Sequence, residues 1–122
     1  MSPYRQLRYT LAAVVALLAS ALTHAQPDVC DATSDVIETI TQRAPALQET
    51  GIKPRLAIVR IGTSAGKALG FATDAGWSPE DRAPLEAIRD LRDLDATPAE
   101  LRTRLRDQVA ALTEVMAKQC PM

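Results

Sequence analysis

Apolar residues between Val29 and Leu47 return every three or four positions. Val29, Thr33, Val36, Ile37, Ile40, Ala44 and Leu47 share one face of a helix, with Asp31, Asp35, Glu38 and Gln42 turned away from it. This spacing predicts an amphipathic helix that Pro45 ends or kinks near Ala44, because proline lacks an N–H and its ring meets the preceding turn. The following Gln48–Gly51 reads as an exit loop, with Gly51 suited to the left-handed backbone that closes helices.

Two patterns overlap between Pro54 and Ala75. As a helix, Ile58, Ile61, Ala65, Ala68, Leu69 and Ala72 share a face, and Pro54 suits the first turn. Gly62, Gly66 and Gly70 then form an adjacent stripe against which another helix can pack closely, within one chain or between two copies. As strands, Leu56–Ile61 and Ala68–Ala72 form a β-hairpin spanning about 56–72. Each interior glycine costs a helix about 1 kcal/mol relative to alanine. An isolated hairpin is marginal, however, and no third strand is evident, so helix is the expectation and an α+β chain the alternative.

Further on, Ser78 and Pro79 predict a helix start. Pro84 predicts an interruption, giving a short turn over 79–83 and then a helix over about 84–95 with Leu85, Ile88, Leu91 and Leu94 inward. Thr97-Pro98-Ala99-Glu100 carries a cap, a first-turn proline and a capping-box glutamate. The last helix runs from there to about Gln119 with Leu101, Leu105, Val109, Leu112, Met116 and Cys120 inward, and Glu100–Arg104 and Glu114–Lys118 are spaced as i, i+4 pairs.

Residues 1–25 have a different character: Arg5 and Arg8, an apolar run from Leu11 to Ala19, and Thr23-His24-Ala25 before a cut after Ala25. They read as a cleavable export signal, leaving 26–122 as a single mature domain of 97 residues in a bacterial periplasm or beyond it. Ala19-Ser20-Ala21 offers an earlier cut. Only 13 uncharged residues run from Thr10 to Leu22, against about 20 for a membrane span, so no stable anchor is expected. Cys30 and Cys120 are the only cysteines and flank the mature chain. An even count in an oxidising compartment predicts a structural disulfide rather than a redox pair, which uses closer spacing. Four helices running up-down-up-down bring the start of the first beside the end of the last, where that bond needs them. The expected fold is therefore all-α, a single small disulfide-closed bundle of about four helices.

Composition narrows the chemistry. The signal takes with it two of the 14 Lys+Arg, both tyrosines and the only histidine, leaving 12 basic against 15 acidic residues and a net charge of −3. That balance offers no footing for nucleic acid. Nucleophilic triads need a histidine, and Phe71 and Trp77 are few aromatics for a carbohydrate site. Gly62-Thr-Ser-Ala-Gly66-Lys67-Ala68 departs from a phosphate-binding loop in its glycine spacing and in Ala68 where a hydroxyl is required. No cofactor or metal is expected: soft ligands are lacking, and Asp90, Asp93 and Asp95 alternate with Arg89 and Arg92.

What remains points to a non-catalytic exported domain that binds another protein, as an adaptor, an envelope-stress or chaperone-like factor, or a toxin-immunity protein. Trp77, beside a loop glycine, and Phe71 are the candidate partner contacts, with a core lid as the alternative for Trp77. Homodimerisation through the glycine stripe is a secondary expectation. The competing class is a small-anion binder or small helical enzyme using Arg55, Arg60, Lys67 or the pair Arg102 and Arg106, which share one side of the last helix.

Overall fold

The computed structural model describes residues 28–121, so the segment read as an export signal lies outside the described residues. Four α-helices are joined by short connections: α1 (Val29–Arg43), α2 (Lys53–Asp74), α3 (Pro79–Asp90) and α4 (Pro98–Gln119). Short 3-10 turns, Ala44–Gln48 and Leu91–Asp93, extend α1 and α3. Among the described residues there is no strand, and no helix is long and apolar enough to cross a membrane.

Local chemistry sets the boundaries. Asp28 caps α1 by accepting the Asp31 N–H at 2.8 Å, and Pro45 coincides with the change to 3-10 geometry. Ser78 and Thr97 cap α3 and α4 by accepting the N–H groups of Asp81 and Glu100, each at 3.2 Å. At the end of α2, Trp77 N–H donates to Ala72 O and Gly76 N–H to Thr73 O, with Gly76 at φ 79°. This double closure requires the positive φ that glycine supplies without strain.

The α-helical reading of 54–75 holds, and all six residues expected on its inner face are buried. Burying Ile58, Ile61 and Leu69 contributes about 1.5–3 kcal/mol each, more than the roughly 1 kcal/mol lost at each glycine. The helix packs on both α1 and α3; α4 closes on α3 and on the 3-10 turn after α1. Cys30 and Cys120 are joined, with Cα atoms 5.8 Å apart and a separation of 90 positions along the chain.

Residues 79–95 correct the expected outline. No break follows residue 83: α3 runs through Pro84 to Asp90. The proline forfeits a bond to the carbonyl of Glu80, an exposed first-turn residue, while its own ring is buried beside Leu85 and Ile88. Leu94 is exposed rather than inward because the backbone turns extended there after the 3-10 turn, leaving Leu91 as the last buried position.

The glycine stripe divides in use. A Cβ at Gly62 would lie 3.0 Å from the Arg89 carbonyl oxygen; one at Gly66 would meet the Arg89 side chain at 3.7 Å; one at Gly70 would meet nothing within 4 Å. Gly62→Ala is therefore expected to destabilise the domain despite alanine's higher helix propensity, whereas Gly70→Ala should stabilise it by about 0.5–1 kcal/mol in chemical denaturation. Opening the disulfide with a Cys30→Ser, Cys120→Ser pair frees a 90-residue loop and should remove about 4–5 kcal/mol by loop-closure entropy, read from the denaturation midpoint.

Candidate functional site

The anticipated contact residues separate. Trp77 is 7% exposed and belongs to the core. Its main chain closes α2 and its side chain belongs to the hydrophobic core, which agrees with the core-lid alternative and leaves little of Trp77 for a partner to touch. Phe71 is half-buried and lines an open groove of about 570 Å³ between α1 and α2. One wall of that groove carries Asp31, Asp35 and Glu38 from α1; the other carries Arg60 and Lys67 from α2. No ion pair joins the two walls.

The groove continues into a surface that the sequence reading passed over. Ile52, Leu56 and Val59 are 68%, 51% and 40% exposed and recur at i, i+4 and i+7 from the N-cap of α2 into its first turns, on the side away from its buried face. Arg55 flanks this stripe on one side, Lys53 and Arg60 on the other, and no acidic residue occurs in α2 before Asp74. Arg55 also borders a smaller hollow of about 410 Å³ beside Leu94. The signal was present in the sequence as aliphatics repeating at helical spacing outside the inward set.

Arg102 and Arg106 are brought together as anticipated, on a second groove of about 510 Å³ between α1 with its 3-10 extension and α4. Arg102 Nη1 donates to the carbonyl of Leu47 at 2.8 Å, one of the contacts linking those elements. Asp90, Asp93 and Asp95 do not converge: Asp90 accepts from Arg89 Nε at 2.9 Å, which holds its carboxyl below the ordinary value, and no metal-holding cluster occurs among the described residues.

Lys118 departs from its expected pairing with Glu114. It donates to both carboxylate oxygens of Asp81, at 3.1 and 3.0 Å, and Gln119 Nε2 donates to the same group at 2.7 Å. Glu100 and Arg104 likewise form no ion pair. Asp81 is 5% exposed and sits in the first turn of α3, where the helix dipole also favours a negative charge. These contacts clasp the start of α3 to the end of α4 next to Cys120. They lower the Asp81 pKa below 3.8, the bond from Gln119 first and that from Lys118 second.

No known protein family matches this chain, and no curated protein or solved structure does either.

A lowered folded-state pKa means that the Asp81 contribution is in place above the unfolded value of 3.8 and is lost as pH falls below it through the folded value. Asp81→Asn should lower the melting temperature at neutral pH, and the gap from the parent should close in acid. A gap unchanged across that acid range would show that charge plays no part in the clasp.

Proposed function

We propose that this chain is a small exported, non-catalytic domain that binds another protein, docking it on the outward face of α2. One observation carries the reading: Ile52, Leu56 and Val59 form an exposed apolar stripe at helical spacing. Covering three aliphatic side chains so exposed contributes on the order of 1–2 kcal/mol each, and their spacing fits an apolar helix laid along them. Lys53, Arg55 and Arg60 flank the stripe with positive charge, which favours a partner whose own apolar face has acidic edges. Two copies meeting across this face would oppose these cations, while Gly62 and Gly66 already face α3 of the same chain. Both facts weigh against self-association as the main role.

The export part rests on residues 1–25 and on the Cys30–Cys120 bond, which suits an oxidising compartment. An adaptor, an envelope-stress or chaperone-like factor and a toxin-immunity protein would each use such a face.

A photo-crosslinking residue placed at Leu56 in the producing cell should capture one protein at defined mass, absent when the same residue replaces the exposed Thr113 on α4. Ile52→Asp with Leu56→Asp should abolish capture from a crosslinker at Val59 while leaving the melting temperature within a few degrees, since both side chains are exposed. Equal labelling from Leu56 and Thr113 would overturn the reading.

A further inference from the structure

The groove between α1 and α4 differs in chemistry from the two other depressions described above. Asp31, Asp35 and Glu38 line the groove between α1 and α2, and Glu49 lines the hollow beside Leu94. The α1–α4 groove holds two arginines and no carboxylate. Its floor is apolar, made of the buried Ile40, Leu47 and Leu105 with half-buried Val109.

Arg102 and Arg106 stand one turn apart on the same side of α4. Arg102 is held across the groove by its bond to Leu47 O, which occupies Nη1 and leaves its other N–H groups without a partner among the described residues. Arg106 makes no hydrogen bond or ion pair with any described residue. Two guanidinium groups thus stand over an apolar floor with no carboxylate in the lining.

We propose that this groove binds an amphiphilic anion, a single alkyl chain ending in a carboxylate or phosphate head. The head accepts charge-assisted hydrogen bonds from Arg106 and from the unused edge of Arg102, whose planar forks match both anions. The chain lies along α4 above Leu105 and covers the half-buried Val109 and Ala44. From Arg102, beside the head, to Val109 at the far end of its α4 lining, the groove extends about 10 Å at the helical rise, room for most of a medium-length chain. Charge and apolar contact act at different ends of the ligand, so head and tail are both required. This site is separate from the α2 face, and neither reading depends on the other.

Calorimetry on the purified oxidised protein tests this, with dodecanoate kept below its micelle-forming concentration. Saturable one-to-one binding is expected, at least tenfold tighter than for acetate, which lacks the tail, or for dodecyl maltoside, which lacks the charge. Arg106→Ala should weaken dodecanoate about tenfold, the loss of one charge-assisted bond, while Arg104→Ala, outside the groove, leaves it unchanged. Dodecyl phosphate measured beside dodecanoate identifies the preferred head. Binding that is non-saturable, equal for dodecyl maltoside, or indifferent to Arg106→Ala would overturn the proposal. So would a preference for a soluble acidic peptide over both amphiphiles.

Discussion

The close approach of α3 to α2 at Gly62 fixes the positions of most other parts. A carbonyl oxygen of α3 lies 3.0 Å from where a side chain at residue 62 would begin, so the two helices share a seam that only glycine fits without movement. With α3 held there, Leu85, Ile88 and Leu91 meet the core, and Asp81, at the opposite end of the helix, is carried to where α4 finishes. The clasp from Lys118 and Gln119 and the disulfide then secure α4 at one end of the molecule. The seam between α1 and α4 is less extensively packed than those of α2 with its neighbours, and a groove remains along it.

Much of this was legible in the residues. Period and capping chemistry act locally, so α1 and α4 could be read directly from Asp28 to Leu47 and from Thr97 to Gln119. The helix at α2 was harder: its glycines argue against a helix one residue at a time, and the compensating packing comes from α3, a segment remote in sequence. Pro84 misled for the same reason, since burial of its ring against the core is a tertiary gain that outweighs a local rule. For Trp77 the sequence offered both a partner contact and a core lid, and the choice between them depends on burial, which only the packed structure shows.

The candidate sites divided in a similar way. Arg102 and Arg106 lie on one helix, so their common side followed from spacing alone; their apolar floor did not, because Ile40 and Leu47 come from α1 and its extension. Lys118 could not be assigned to Asp81 from sequence, the pair being 37 residues apart, while a plausible partner stood four residues away at Glu114. The stripe of Ile52, Leu56 and Val59 needed no tertiary information. It is masked in the sequence by the stronger inward set of α2, whose aliphatics and alanines recur at the same spacing.

The bond between Cys30 and Cys120 makes the described domain close to a covalent ring, with only Asp28, Val29 and Pro121 of the described residues outside the loop. A protease that cuts the exposed connection at Thr50–Gly51, or the one at Asp95, converts the ring into a linear chain without releasing a fragment. The helices on either side of the cut stay attached through the two sulfurs, and the nicked molecule keeps the mass of its parent plus one water. Damage of this kind becomes visible only when the disulfide is reduced.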